Sequence, residues 1–305
     1  LYLLAGEKLD LAESELEGFL ESQGLENEVQ RKSRLAETKV EPIKPQLKRL
    51  ALTHEVTELM EKSKDLEMEY SPEKSYAVRA FDLTGGEDTK KVERRLGEKL
   101  NTEQNEVDLE DPDEIIRVYI REENYVIGRL IEKMDRSLFE DRKNQNRPFS
   151  SPVSLDPVLA RVLVNLTGIK PGEKILDPFC GTGGILIEAG LCGVDVHGAD
   201  MQEEMIEGAR ENLEEYGIIR HDLKKTNFND VEDVFEDKFD AIVTDLPYGK
   251  ASKTEGDVVE NFVDVAKELT DGRVVFMSNQ KSVNDLKPDF EIYVHKNLTR
   301  YIYIC

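Results

Sequence analysis

The sequence predicts an α/β protein in which a doubly wound parallel sheet, carried by residues 155–305, follows a smaller α+β region. Helix and strand patterns alternate regularly from Asp156 onward, and one strand pattern runs into a glycine-rich loop after Asp177. The last two strand patterns lie on either side of Lys296 and Asn297, as in an antiparallel hairpin. Regular alternation of this kind gives a parallel sheet with helices on both faces.

The first 64 residues predict a strand and two helices. Residues 1–5 form an apolar run typical of a strand, and apolar side chains recur at helical spacing over residues 11–20. The same spacing recurs after Thr53, which is a suitable N-cap, so we expect a second helix that ends near Lys64.

The following segment predicts a compact α+β unit that ends near residue 132. Residues 75–83 alternate between apolar and polar as a half-buried strand does, and residues 89–100 have the spacing and charge pairs of a surface helix. Three more strand patterns follow, at residues 107–109, 115–120 and 124–131. Residues 133–154 show little periodicity and contain two prolines, so we expect a linker.

The C-terminal half then alternates element by element. Helices are predicted at residues 156–167, 183–191, 202–216 and 257–269; strands at residues 173–179, 193–199, 222–228, 239–245 and 273–278; and the hairpin at residues 290–295 and 299–304.

Composition restricts the possible classes of protein. With 39% hydrophobic residues and no apolar run of membrane-spanning length, we expect a cytoplasmic protein that contacts no membrane. Three cysteines and four histidines do not form a ligand set, so no metal is expected. A net charge of −23 argues by itself against a nucleic-acid partner, but acidity also keeps proteins hydrated in concentrated salt.

The loop after Asp177 predicts a cofactor pocket, because ligands bind beyond the carboxyl ends of such strands and glycines allow close approach. Gly181 and Gly183 are present, but Leu186 stands where a dinucleotide site needs its third glycine. S-adenosylmethionine has no phosphate, and its cationic groups suit the Asp177 carboxylate. Asp200, which ends the next strand, can accept both ribose hydroxyls.

Four further residues complete the predicted cofactor set. Asn227 and Phe228 follow the third strand and are placed to contact the adenine, with Asp222 as an acidic competitor to Asn227 for that role. Phe179 in the glycine loop and Met201 after Asp200 line the same pocket.

The tetrapeptide Asp245–Leu246–Pro247–Tyr248 predicts methylation of an exocyclic amine on a base. It follows a buried strand, beside the glycine loop. The amine is a poor nucleophile because its lone pair is delocalised into the ring, and hydrogen bonds to the Asp245 carboxylate and the Leu246 carbonyl would localise that lone pair. Pro247 fixes the turn and Tyr248 can stack on the base. No cysteine is near enough in sequence for methylation of a ring carbon.

The sequence resembles the archaeal tRNA guanine-10 N2-methyltransferases, which join a THUMP domain to a Rossmann-fold class I methyltransferase domain. The stretches that carry the resemblance are RPFSSPVSLDPVLARVLVNL at 147–166, DPFCGTGGILIEAG at 177–190, ARENLEEYG at 209–217, VTDLPYG at 243–249 and VHKNLTRYIYI at 294–304, with SYAVRAFDLTGG at 75–86 and 107–131 for the THUMP part.

The resemblance implies a ferredoxin-like segment at 1–50, a THUMP-like RNA-binding domain at 51–132 and the methyltransferase domain at 155–305. It implies a tRNA partner, with Lys or Arg clusters at 44–49, 90–95 and 136–147 available for phosphates, and we expect a monomer. Leu246 and Asn227 depart from the family pattern, which has a first proline and an acidic residue there. Another tRNA guanine, ribosomal RNA, DNA and a non-catalytic RNA-binding module stay open as alternatives.

Overall fold

The structure is a computed structural model that describes residues 1–25, 28–152, 154–247, 255–295 and 298–305. It divides into two compact units, each assembled from three segments of the chain. The first unit contains Leu1–Glu13, Glu28–Leu47 and Thr53–Met134, and the second contains Ser14–Asn27, Lys48–Leu52 and Asp135–Cys305. Among the described residues, no helix is long and apolar enough to span a membrane.

The division differs from the boundaries predicted at residues 50 and 132, because two early segments belong to the second unit. Buried Glu15 explains this: its carboxylate accepts hydrogen bonds from the backbone N–H groups of Ala51 and Leu52 and from Asn165, each at 2.8 Å. Arg49 donates to the same Asn165 side chain at 2.6 Å. Buried polar groups need such partners, so these contacts join the segments around Glu15 and Arg49 to Asn165 in the C-terminal part of the chain.

The first unit is built on one mixed sheet of eight strands, in the order β2-β3-β1-β4-β8-β7-β5-β6. Its elements are β1 (Tyr2–Leu4), α1 (Leu9–Glu21, whose second half belongs to the other unit), β2 (Gln30–Lys32), β3 (Leu35–Glu37), β4 (Thr53–Ser63), β5 (Ser75–Asp82), α2 (Thr89–Leu100), β6 (Glu106–Val107), β7 (Glu114–Ile120) and β8 (Tyr125–Lys133). The predicted first strand and first helix, and the α+β pattern of residues 75–131, are confirmed.

The helix predicted after Thr53 is wrong, because this segment is the long strand β4, paired antiparallel with β1 and β8. Its apolar residues happen to recur at helical spacing, but Thr53 and all of Glu55, Val56 and Thr57 are buried in a strand that has a neighbour on each side. Glu55 is tolerated there because Arg117 and Tyr119 donate to its carboxylate. Backbone pairing with β1 on one side and β8 on the other stabilises this segment as a strand and not as a helix.

Helix α2 illustrates why the confirmed elements could be predicted. Asp88 caps its N-terminus by accepting a hydrogen bond from the Lys91 backbone N–H at 3.2 Å. Val92, Leu96 and Leu100 are buried at four-residue spacing, which is the pattern of an amphipathic helix.

The second unit is built on a sheet of seven strands, in the order β11-β10-β9-β12-β13-β15-β14, and confirms the predicted doubly wound architecture. Five strands are parallel, while β15 and β14 form the expected antiparallel hairpin. Its elements are α3 (Ser137–Asp141), α4 (Pro157–Leu166), β9 (Lys174–Asp177), α5 (Gly184–Gly190), β10 (Asp195–Asp200), α6 (Glu203–Glu215), β11 (His221–Lys225), α7 (Val231–Val234), β12 (Phe239–Asp245), α8 (Glu255–Leu269), β13 (Thr270–Ser278), β14 (Phe290–His295) and β15 (Leu298–Ile304).

Residues 135–152 are packed within the second unit, whereas the sequence predicts a linker over residues 133–154. Phe139 is buried, and Arg142 pairs with the fully buried Glu188 of α5 at 2.7 Å. Phe149 exchanges backbone hydrogen bonds with the Asn212 side chain of α6, both at 2.9 Å. Scattered contacts of this kind leave no periodicity in the sequence.

Strand order fixes where a ligand can bind in the second unit. The chain proceeds from β9 outward to β10 and β11, then returns to the other side of β9 with β12 and β13. A crevice opens beyond the carboxyl ends of the strands where the order reverses in this way. Asp177, Asp200 and Asp245 are the last residues of β9, β10 and β12, so all three lie at this edge.

Candidate active site

Asp177 lies at the centre of this edge and is only 2% exposed. Its Oδ1 accepts hydrogen bonds from Thr244 Oγ1 at 2.6 Å and from the backbone N–H of Phe179 at 3.1 Å. Burial raises the pKa of the Asp177 carboxyl to about 7, and the nearby carboxylates of Asp245 and Asp200 add to that rise. A cation placed beside Asp177 would therefore be strongly favoured.

The loop after Asp177 needs glycine at two positions. Gly181 and Gly183 have φ angles of +49° and +78°, in the left-handed region where side chains are strained. A Cβ atom on Gly183 would also lie 3.2 Å from the Cβ of Ala209 on α6. Glycines here let the backbone form a tight turn that leaves the strand end open to a ligand.

Asp200 is tied to this loop from the neighbouring strand. Its Oδ2 accepts a hydrogen bond from the Gly181 backbone N–H at 3.1 Å, and its Oδ1 accepts one from the Gln202 backbone N–H at 2.9 Å. Burial raises the pKa of Asp200 as well. The next residue, Met201, is 65% exposed, which leaves an apolar side chain beside the carboxylate.

Aromatic side chains pack beside the glycine loop. The ring centroids of Phe179 and Phe228 are 5.1 Å apart, and Phe262 lies 5.3 Å from Phe228. The Asn227 side chain caps the short 3-10 turn that follows, accepting from the Asn229 backbone N–H at 3.2 Å. Its competitor Asp222 lies within β11 and pairs with Lys224 at 3.0 Å.

Asp245 ends β12 and forms an ion pair with Arg300 of β15. Burial raises the pKa of Asp245, and the Arg300 guanidinium opposes that rise. The Leu246 backbone N–H donates to the Met277 carbonyl at 2.8 Å, and its side chain is buried, whereas Pro247 is exposed. Tyr248, also predicted for the site, lies outside the described residues.

Sequence reasoning missed two residues of this constellation. Thr244 immediately precedes the predicted tetrapeptide, and its hydroxyl binds Asp177. Arg300 lies 55 residues after Asp245 in the chain. It falls within the VHKNLTRYIYI stretch that carried part of the resemblance, but only the pairing of strands places it beside the carboxylate.

The charges at this edge suit an organic cation. Asp177, Asp200 and Asp245 all have pKa values raised chiefly by burial, and Asp177 interacts unfavourably with the other two. Among the described residues, no group of three or more His, Cys, Asp or Glu side chains is arranged to hold a metal ion. The open glycine turn, the Asp200 carboxylate at the end of β10 and the exposed Met201 fit S-adenosylmethionine.

Comparison with known proteins decides the family. A family model described as "RMKL-like, methyltransferase domain" matches residues 144–287. A tRNA (guanine(10)-N2)-dimethyltransferase from Methanothermobacter thermautotrophicus is 35% identical over 99% of this chain and 97% of its own. The chain belongs to the tRNA (guanine(10)-N2)-dimethyltransferase family.

Two further comparisons agree with this family. The tRNA (guanine(10)-N2)-dimethyltransferase of Methanocaldococcus jannaschii is 33% identical over 99% of this chain and 98% of its own. Among solved structures, TrmN from Thermus thermophilus matches with a TM-score of 0.52 and 23% identity, covering 99% of this chain and 98% of its own. That likeness supports the fold.

Proposed function

We propose that this chain transfers methyl groups from S-adenosylmethionine to N2 of a guanine in tRNA, and that the target is guanine 10. The observation that carries the proposal is the Asp245 carboxylate, only 17% exposed, at the end of β12 and beside the glycine loop at the end of β9. The relatives that match nearly the whole chain are named for this reaction. We also propose that two methyl groups are added in turn, as those names state.

S-adenosylmethionine supplies an electrophilic methyl group on a sulfonium. We assign Asp177 to its cationic end, Asp200 to the ribose hydroxyls, and Asn227 with Phe228 to the adenine. Gly181, Gly183, Phe179 and Met201 line the same pocket. Both hydrogen bonds of Asp177 use Oδ1, and we assign Oδ2 to the ligand.

The base is activated by acceptors at the end of β12. Guanine N2 conjugates with the ring, so its lone pair must be localised before it can attack a methyl group. We assign the Asp245 carboxylate and the Leu246 carbonyl to the two N–H groups of this amine. The carboxylate stabilises the positive charge that develops on N2 as the new bond forms. Pro247 and Tyr248 are assigned to the turn and to stacking on the base.

The first unit is proposed to bind tRNA through α2, and its assignment as a THUMP domain is part of this proposal. Lys91 and Arg94 are exposed on this helix. The other two predicted basic clusters contribute less, because Arg49, Arg142 and Arg147 are directed inward and mostly buried. A monomer acting in the cytoplasm on a single tRNA is proposed.

The test is methyl transfer to unmodified tRNA transcripts. The protein is incubated with methyl-labelled S-adenosylmethionine and a transcript carrying guanine at position 10, with the matched transcript carrying adenine there as the control. Label is expected only in the guanine transcript. Equal labelling of both transcripts would show that the methylated guanine is not at position 10. Labelling of ribosomal RNA or duplex DNA, with no labelling of tRNA, would refute tRNA as the substrate.

A further inference from the structure

Arg300 occupies an unusual position relative to the Asp245 carboxylate. In the sheet, Asp245 lies opposite Met277 of β13, and Met277 lies opposite Ile302 of β15. The backbones of the two residues that form the ion pair are therefore on strands two apart, about 10 Å across the sheet. Arg300 precedes Ile302 by two positions, toward the edge where Asp245 lies, and is one residue beyond the Ser278–Tyr301 pair. Its side chain therefore spans the end of β13 to reach the carboxylate.

The pair is nearly inaccessible to solvent. The side chains of Arg300 and Asp245 are 8% and 17% exposed, and Nη1 of Arg300 donates to Oδ1 of Asp245. An ion pair at this depth differs from a surface pair because a carboxylate left alone there would be costly to ionise. Because Arg300 donates to the Asp245 carboxylate, we treat it as a positioning residue for Asp245.

The atoms used by the pair determine what Asp245 offers to a substrate. Oδ1 is occupied by a donor from Arg300, which directs Oδ2 toward the amine. A carboxylate has an acceptor at both positions, whereas an asparagine has one acceptor and one donor. An asparagine at position 245 would have to present its carbonyl to Arg300 and its NH2 group to the substrate amine, which is also a donor.

We propose that Arg300 fixes the orientation and charge of Asp245, and thereby requires an aspartate rather than an asparagine at this catalytic position. The inference rests on the proposed function for its kinetic tests. Among the described residues, the charged groups that act on Asp245 are Arg300 from β15 and Asp177 from β9, while its neighbours on β13, Met277 and Ser278, do not titrate in this range.

The first test is the pH dependence of kcat in Arg300→Met. Loss of the guanidinium leaves burial unopposed, so Asp245 should ionise at higher pH and the acid limb of kcat should move up by about 1 to 3 pH units. Arg300→Lys retains the charge and should keep the limb near its wild-type position. Arg161→Met is the control, since it removes the Arg161 partner of another buried ion pair, with Glu188, and should not move the limb. An unmoved limb in Arg300→Met would overturn the inference.

The second test is a double-mutant cycle. Asp245→Asn should be slow because Arg300 turns its NH2 group toward the amine. Asp245→Asn combined with Arg300→Met frees the side chain to turn its carbonyl to the substrate, so the double variant should be about tenfold faster than Asp245→Asn alone. A double variant as slow as the single one would contradict the proposed control of orientation.

A third measurement separates this inference from the proposed function, because it needs no tRNA. The 13C resonance of the Asp245 carboxyl carbon, assigned by its absence in Asp245→Asn, is followed through a pH titration. Its midpoint should rise in Arg300→Met and stay in place in Arg161→Met. If the midpoint rises in Arg300→Met but no tRNA is methylated, the proposed substrate is wrong and the control of Asp245 by Arg300 stands. If the midpoint does not change, the control of Asp245 by Arg300 is wrong, whatever the substrate.

Discussion

At the scale of single residues, the site combines three carboxylates with different partners. Asp177 is held by a hydroxyl and a backbone N–H, Asp200 by two backbone N–H groups and Asp245 by a guanidinium. Because burial opposes ionisation of all three carboxyl groups, a positive charge placed beside any of them would stabilise its ionised form. In the proposed function, that charge is the cofactor cation for Asp177 and the developing cation on N2 for Asp245.

Replacement of Asp245 tests the assigned catalytic role. Asp245→Ala removes the acceptor for the amine, and we expect kcat to fall by about a thousandfold. The affinity for tRNA should stay nearly unchanged, because one buried carboxylate contributes little to a large polyanion interface. Single-turnover rates and filter binding give the two quantities, and retention of the full rate would refute the role.

Binding of the cofactor should depend on pH through Asp177. With the pKa of Asp177 at about 7 in the free protein, the carboxylate is ionised above that pH and ready for a cation. Below it, binding must displace a proton, so affinity should fall by about tenfold between pH 8 and pH 6.

Calorimetry at the two pH values measures this change. Asp177→Asn should bind S-adenosylmethionine weakly at both, with no such dependence. A wild-type affinity that rises as the pH falls would show that Asp177 does not pair with a cation.

At the scale of elements, the sequence predicted what is periodic or carries a motif. The alternation after Asp156 predicts the parallel sheet, and the glycine loop and the residues Asp245, Leu246 and Pro247 are assigned to the strand ends where the structure has them. Strand β4 was missed because its partners β1 and β8 override its helical spacing. Arg300 was missed because contacts between distant strands leave no local signal.

Helix α6 provides a test of the packing of residues 135–152. A Cβ atom on Gly208 would lie 2.0 Å from Cδ1 of the Phe149 ring, so Gly208→Ala should destabilise the protein by about 1 to 3 kcal/mol. Gly97 of α2 is the matched helical glycine, with only Val78 at 4.0 Å. Gly97→Ala should stabilise by about 0.5 to 1 kcal/mol.

Thermal or denaturant unfolding distinguishes these two expectations. A neutral Gly208→Ala would mean that Phe149 does not pack on α6, and that residues 135–152 are the free linker expected from their sequence.

At the scale of the whole molecule, the two units are interleaved along the chain. The predicted boundaries followed changes in sequence pattern, whereas the real division depends on buried polar partners such as Glu15 and Asn165. Net charge was similarly misleading, because a total of −23 coexists with a helix, α2, that exposes basic side chains.

The basic face of α2 predicts a specific effect on tRNA. Lys91→Glu with Arg94→Glu should raise KM for tRNA several-fold and reduce its salt dependence, with kcat little changed, because phosphate contacts contribute to affinity and not to the chemical step. Lys170→Glu with Lys238→Glu is the control at the amino ends of β9 and β12. Equal effects of both pairs would indicate general repulsion instead of a binding face.

The central claim is methylation of guanine N2 at position 10 by the Asp245 site. Its most direct test is mass spectrometry of the tRNA fragment that contains position 10, after reaction with the wild-type protein or with Asp245→Ala. We expect N2-methylguanosine and then N2,N2-dimethylguanosine at this position with the wild type, and neither nucleoside with Asp245→Ala. An unmodified guanine 10 after reaction with active wild-type protein, or methylation that survives Asp245→Ala, would contradict it.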